Sequence, residues 1–319
     1  MTHSDKPQKG ASPQRELPGE GRIRFCRCLR RLREFIGGGG AFGDVCRMIR
    51  VQHSVFALPF AYAGAFLASG GWPGFWKLFA LTLAMVFIRS FAMTVNRIAD
   101  LPFDSKNPRT ADRPLVTGAI SKRYAWRFAA CMAVLFVLSC AALNTACLLL
   151  SPLALLLSFA YSYTKRLTSF CHFVLGLVLA LAPVAGWLSV SPAFALPPFL
   201  LAFAVLFWVA GFDIIYACLD VAFDTREGLH SMPVRLGIPG ALLLAKCCHV
   251  ATVLLLFLAG LACGLSFGWY LALVIIAILF AWEHRLVRPD SLENIGQVFS
   301  VNAPVSVTLF LGTLLGIYL

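Results

Sequence analysis

Asn96, Asp100 and Asp104 stand four residues apart where a long apolar run ends. More than a hundred residues later Asp213, Tyr216, Asp220 and Asp224 close another apolar run. On a helix Asn96 and Asp100 project from one face. Pro102 is expected to end or bend that helix, so that Asp104 enters from the irregular segment beyond it. In the second string Asp213 and Asp220 are seven apart with Tyr216 between them, and Asp220 and Asp224 are four apart. Arg89 lies seven residues before Asn96 on the same face. A charge so deep in an apolar run is costly unless it faces a polar cavity.

Hard cations such as Mg²⁺ take oxygen ligands and keep several waters, so a few carboxylates suffice where phosphate oxygens complete the shell. Two acidic strings facing each other across one cavity would hold such ions against a diphosphate. The ions would neutralise the charge that develops on a departing pyrophosphate. Lys106, Arg109 and Arg113 after the first string, and Arg226 and Arg235 after the second, would complete the cradle. Tyr161-Ser-Tyr-Thr-Lys165-Arg166 adds a Tyr/Lys pair at helical spacing. The blander reading of either string alone is a polar helix end at a membrane surface. Their recurrence, with an intramembrane arginine, weighs against it. Lys165, Arg166, Arg285 and Arg288 also read as topology anchors. His172 and His249 read as packed or interfacial residues rather than ligands, and Trp187 as part of a core or an interfacial belt.

The elements that must position these residues are membrane helices. The chain has 319 residues, 59% of them hydrophobic and 13% charged, with a mean hydropathy of +0.79. A soluble domain could not bury that much apolar surface. Apolar runs of spanning length fall near 51–69, 76–99, 122–143, 146–163, 170–190, 198–219, 240–263, 266–283 and 300–318, which predicts nine helices. Residues 1–46 are polar, basic and rich in Gly, Pro and Ser, and are expected to be a disordered cytoplasmic tail, with a basic amphipathic patch at 22–35 on anionic lipid. The remainder, 47–319, is expected to be one transmembrane domain.

Lys and Arg crowd the tail and every second connection, whereas the intervening connections contain only Lys77. This alternation fits nine spans with the N-terminus cytoplasmic and the C-terminus outside. It also explains the net charge of +12 as topology, so nucleic acid is excluded as a partner. Ten acidic residues lie beyond the tail: Asp100, Asp104, Asp112, Asp213, Asp220, Asp224, Glu227, Glu283, Asp290 and Glu293. All are expected at the cytoplasmic face, where a site would account for them. Most of the eleven cysteines sit singly in apolar runs and behave as small hydrophobes.

At these residues the chain resembles the UbiA superfamily of intramembrane prenyltransferases. Asn96, Asp100 and Asp104 match the family's first motif, and Asn107-Pro-Arg-Thr-Ala-Asp-Arg113-Pro-Leu-Val-Thr-Gly118 resembles the loop that follows it. Asp220 and Asp224 match the second motif, preceded by an Asp213 and Tyr216 typical of the hydroxybenzoate branch. Tyr161 and Lys165 fit the family's Tyr–three–Lys element, and Arg89 sits where members carry an active-site arginine. The similarity runs from about His53 to the C-terminus.

The resemblance implies an all-α polytopic bundle of about nine helices around a central cavity with a cytoplasmic cap, in a bacterial cytoplasmic membrane. It implies that Asp100, Asp104, Asp220 and Asp224 bind Mg²⁺ and a polyprenyl diphosphate, and that Lys165, Arg113 and Arg226 contact diphosphate oxygens. The prenyl group would pass to an aromatic ring, commonly 4-hydroxybenzoate ortho to its hydroxyl, in ubiquinone or menaquinone synthesis. Arg89 would meet the acceptor, for instance at its carboxylate, and Asp213 or Tyr216 would orient its phenol. Two positions depart from the pattern: Arg97 replaces an Asp common in the first motif, and His230 replaces a lysine after the second. The phrases around His53 and Asp213 look most like a futalosine-route menaquinone branch, so the acceptor is either hydroxybenzoate or a naphthoate-type ring. Tetrapyrrole side-chain prenylation is a rival within the family. A cation-coupled transporter is the rival outside it, although both acidic strings lie at one face rather than at a membrane midplane.

Overall fold

A computed structural model describes residues 41–49, 57–289, 292 and 295–319. The tail before residue 41, the 22–35 patch, His53 and the start of the first expected span, Asp290 and Glu293 lie outside the described residues. The helices are α1 (Ala41–Ile49), α2 (Leu58–Ser69), α3 (Phe75–Asp104), α4 (Lys122–Leu143), α5 (Thr145–Thr164), α6 (Cys171–Val190), α7 (Leu196–Ala217), α8 (Val221–Arg226), α9 (Met232–Cys263), α10 (Phe267–Leu286) and α11 (Ile295–Tyr318). Short 3-10 turns fall at Pro108–Thr110 and Cys218–Asp220, and no strand forms among the described residues. A bilayer offers no partner for backbone N–H and C=O groups, so an apolar chain of this kind satisfies them within helices.

Among the described residues, eight helices are long and apolar enough to cross a membrane, and α2 adds 12 residues of the first expected span. The chain is therefore an all-α polytopic membrane protein. Neighbouring helices pack pairwise along the sequence from α3 to α7, α9 packs on α7, and α11 returns to α2. Phe60, Leu81, Leu201, Val205, Trp208, Trp269 and Ile276 form the largest buried cluster. Its closest crossing joins α2 to α6. A Cβ on Gly64 would fall 2.1 Å from the Pro183 carbonyl oxygen, and one on Gly186 would fall 1.8 Å from that of Ala61. Small residues let membrane helices approach in this way. Trp72, Phe75, Trp76, Phe267 and Tyr318 are exposed at the end of the bundle opposite the C-terminus of α3, as an interfacial aromatic belt would be.

Three expectations are corrected. Residues 41–46 do not all belong to an irregular tail, because α1 begins at Ala41. Its Val45, Met48 and Ile49 bury against Ile98, Leu115, Ile120 and Ala125. Pro102 does not release Asp104 from the helix: α3 runs 30 residues to Asp104, and the Ser105 N–H bonds the Leu101 carbonyl beyond the proline. A proline this near a helix end forfeits one backbone bond and leaves the last turn intact. Finally, α9 starts at Met232 rather than 240. Ser231 caps it, and Gly237 (φ 70°, ψ 167°) breaks it into a short first piece and a long apolar one. That positive φ is one that glycine adopts without penalty.

Candidate active site

The ends of α3, α5 and α7, the start of α6 and the segments after α3 and α7 enclose a cavity of about 390 Å³. From α3 come Asn96, Arg97, Asp100, Phe103 and Asp104, and the loop after it contributes Asn107, Arg109, Thr110 and Arg113. Facing them are Asp213 and Tyr216 of α7, Asp220 of the 3-10 turn, and Phe223 and Asp224 of α8. Tyr161, Ser162, Lys165 and Arg166 close one side at the end of α5. The two acidic strings thus line a single cavity from opposite sides of the sequence.

Cations interleave the carboxylates. Lys165 Nζ lies 2.8 Å from Asp224 Oδ1, Arg109 Nη2 lies 2.6 Å from Asp220 Oδ2, and Arg113 pairs with Asp104. Arg109 and Arg113 come from the loop after the first string, so Arg109 ties that loop to the second string. The loop is itself ordered: the Asn107 side chain accepts from the Arg109 N–H at 3.0 Å, and Thr110 Oγ1 donates to the Asp104 carbonyl at 2.9 Å. Lys106 and Glu227 pair at 2.7 Å across the same junction. Burial alone would discharge Lys165, but Asp224, with Asp220 and Asp213, holds its pKa above the ordinary lysine value. Asp100 has no ion-pair partner among the described residues.

The donor set suits a hard cation. Both Asp224 oxygens are buried without a hydrogen-bond partner, because the Lys165 contact is not aligned as a hydrogen bond. Such orphaned oxygens are ready ligands. Among the described residues no three His, Cys, Asp or Glu side chains already converge on one point. Waters and phosphate oxygens would therefore have to complete any ion's shell, which is the habit of Mg²⁺.

Ten of the twelve expected site residues line the cavity: Asn96, Asp100, Asp104, Arg113, Tyr161, Lys165, Asp213, Tyr216, Asp220 and Asp224. Arg226 does not. Its side chain is 65% exposed and lies over the Phe223 ring, 5.4 Å from the centroid. Arg226 is two residues past Asp224, about 200° round the short helix from it. Arg235 likewise packs over Phe170. Arg89 is not among the lining residues either; it lies deeper along α3, and its Nε is buried with no hydrogen-bond partner. Arg97 Nε donates to the Met48 carbonyl at 3.4 Å, which anchors α1 to α3 while the side chain also lines the cavity. His230, in place of a lysine, is exposed, and its backbone N–H bonds the Lys165 carbonyl at 2.8 Å.

His172 is packed, as expected, but sequence reasoning missed its pairing with Asp213. It is buried in the cavity wall, and its Nδ1 lies 2.6 Å from Asp213 Oδ2. His249 is buried, as expected, with Nδ1 3.0 Å from His284 Nε2. Glu283, near the end of α10, is fully buried 3.9 Å from His249 Nδ1 and does not line the cavity.

Residues 57–314 match the model of the UbiA prenyltransferase family. The chain is 30% identical over 270 residues to a 4-hydroxybenzoate octaprenyltransferase of Klebsiella pneumoniae subsp. pneumoniae, covering 83% of this chain and 93% of that protein. The solved apo structure of a UbiA homolog from Aeropyrum pernix K1 superposes with a TM-score of 0.76 at 36% identity, over 82% of this chain and 97% of that one. A UbiA homolog from Archaeoglobus fulgidus bound to GPP and Mg²⁺ shares the fold, with a TM-score of 0.64 at 24% identity over 85% of this chain and 99% of that one. The chain belongs to the UbiA prenyltransferase family.

Proposed function

We propose that this UbiA family member transfers a polyprenyl group from polyprenyl diphosphate to an aromatic ring, 4-hydroxybenzoate or a related quinone precursor, at the cytoplasmic side of a bacterial inner membrane. The observation that carries this reading is the single cavity in which two acidic strings face each other with Lys165, Arg109 and Arg113 between them. The 30% identity to a 4-hydroxybenzoate octaprenyltransferase supports the acceptor class.

In the proposed reaction the bond between the allylic carbon and the diphosphate oxygen breaks, and its electron pair leaves with pyrophosphate. A ring carbon ortho to the phenol then bonds the allylic carbon, and that carbon's proton passes to water, restoring the aromatic ring. Mg²⁺, when bound, would neutralise charge on the departing pyrophosphate, as its presence with GPP in the Archaeoglobus fulgidus homolog supports. Asp100, Asp104, Asp220 and Asp224 are the residues that would hold it. Once ligand and ions claim those carboxylates, Lys165, Arg109 and Arg113 can turn from them to diphosphate oxygens, as bidentate arginine donors do. Asp213 or Tyr216, which line the same cavity, would orient the acceptor phenol. The buried, unpartnered Nε of Arg89 is the kind of donor that an acceptor carboxylate would satisfy.

The test is purified protein with Mg²⁺, a polyprenyl diphosphate, and a panel of 4-hydroxybenzoate and naphthoate acceptors, with products read by mass. A prenylated hydroxybenzoate with released pyrophosphate is expected. No prenylated product from any aromatic acceptor would overturn the reading.

A further inference from the structure

We infer that His172 is a positioning residue for Asp213, holding that carboxylate in the orientation that aligns the acceptor phenol. The inference rests on the proposed aromatic prenyl transfer and adds a residue to it.

His172 is the second residue of α6 and is 2% exposed. Its two ring nitrogens have different partners. Nε2 faces the backbone N–H of Met232 at 3.3 Å. A backbone N–H can only donate, so Nε2 carries the lone pair. The ring proton of the neutral imidazole is therefore on Nδ1, where it donates to Asp213 Oδ2 at 2.6 Å. In this tautomer His172 engages one carboxylate oxygen and leaves the other for the cavity, which Asp213 lines with its side chain 32% exposed.

The bond from Met232 adds a second consequence. Met232 opens α9 directly after the segment that follows Asp224, and that segment is fastened to the end of α5 and to the start of α6 at further points. The His230 N–H bonds the Lys165 carbonyl at 2.8 Å, and Cys171 Sγ lies 3.5 Å from the His230 carbonyl. One imidazole thus joins the segment leading out of the second acidic string to the carboxylate on α7. Rotation of Asp213 away from the acceptor would break the His172 bond or displace the start of α9. An acceptor phenol hydrogen-bonded to a carboxylate held this way presents its ortho carbon in one orientation, a contribution of positioning rather than of bond making.

The experiment compares wild type, His172→Phe, His172→Asn and Asp213→Asn in the full chain with Mg²⁺, polyprenyl diphosphate and 4-hydroxybenzoate. It measures KM for acceptor and donor separately. Asn places an amide donor near the position of Nδ1, whereas Phe has none. His172→Phe is expected to raise acceptor KM about tenfold or lower kcat comparably, with donor KM unchanged. His172→Asn is expected to recover most of that loss. With Asp213→Asn as the second mutation, adding His172→Phe should produce little further loss, since both remove the same interaction. Unchanged acceptor parameters in His172→Phe would overturn the inference, as would equal damage to donor and acceptor KM in His172→Asn. If His172→Phe does not insert, the His172→Asn result decides alone. Inactive wild type would instead remove the underlying reading, so the two failures are distinguishable.

Discussion

Lys165 Nζ lies 2.8 Å from Asp224 Oδ1, and the Asp224 side chain is wholly buried. The lysine itself is about a third exposed, with side-chain accessibility of 37%. The pair therefore joins a solvent-reachable cation to a carboxylate that has no other partner. Removing the cation strands a buried charge, which in a fully enclosed pair costs about 3–5 kcal/mol. Partial exposure of Lys165 screens the pair and reduces that to about 1–2 kcal/mol. Lys165→Met should lower the melting temperature in detergent and reduce turnover by about a hundredfold, since the same ammonium is assigned to the diphosphate. Thermal unfolding and steady-state rates on one preparation check both parts; normal turnover would remove Lys165 from the donor site.

The acidic strings carry the second prediction. Asp100→Ala or Asp220→Ala should abolish prenyl transfer while the protein still inserts and stays monodisperse, because each carboxylate lines the cavity and neither belongs to a main apolar cluster. Chelation of divalent ions should stop the wild-type reaction, and Mg²⁺ should restore it. Titration calorimetry with inorganic pyrophosphate should show binding that is lost with the chelator and weakened in either mutant. Turnover that persists in the chelator would contradict this arrangement.

Arg109 and Arg226 make a matched pair for the third prediction. Arg109 reaches across the cavity to Asp220 at 2.6 Å, whereas Arg226 lies outside and stacks on Phe223. Arg109→Ala should raise the KM for polyprenyl diphosphate about tenfold. Arg226→Ala should leave it within about twofold, as an exposed substitution usually does. Reversed effects in parallel kinetic measurements would place the diphosphate on the other side of α8.

What was legible in the sequence is local. Asp100 and Asp104, or Asp220 and Asp224, advertise themselves because helix periodicity puts residues four apart on one face. Arg226 is expected in the cradle from its nearness to Asp224, whereas a step of two residues on α8 turns it about 200° from that carboxylate and off the cavity lining. His172 gave no signal, since it lies 41 residues from Asp213 and the pairing exists only where α6 packs on α7. The membrane spans were readable from apolar length alone. The helix at Ala41–Ile49 was hidden by its setting, because its buried face is defined by Ile98, Leu115 and Ile120 rather than by a long pattern of its own.

Packing of the bundle can be tested apart from its chemistry. Gly186 faces the Ala61 carbonyl so closely that any side chain must displace backbone, and the helix has no flexible neighbour there to move aside. Gly186→Val should lower thermal stability by at least about 1–3 kcal/mol, the usual penalty of overpacking. It should also reduce the yield of folded protein. Leu149, exposed on the outer surface of α5, provides the control: Leu149→Val should change little. Fluorescence-detected thermostability of both variants reads the difference.

Arg89 poses the last test. Its Nε is buried without a hydrogen-bond partner, although α3 carries it in an apolar stretch two turns from Asn96. An orphaned guanidinium donor at such a place is expensive to keep unless a ligand completes it. In the proposed reaction Lys165, Arg109 and Arg113 serve the diphosphate, which leaves the acceptor carboxylate as the complementary anion for Arg89. Arg89→Ala should therefore raise the acceptor KM by about one to two orders of magnitude and leave the donor KM nearly unchanged, because a charged hydrogen bond is lost only on the acceptor side. An acceptor with its carboxylate replaced by an amide should react slowly with wild type and show little further loss with Arg89→Ala, since the two changes remove one interaction. A selective rise in donor KM would move Arg89 to the diphosphate instead.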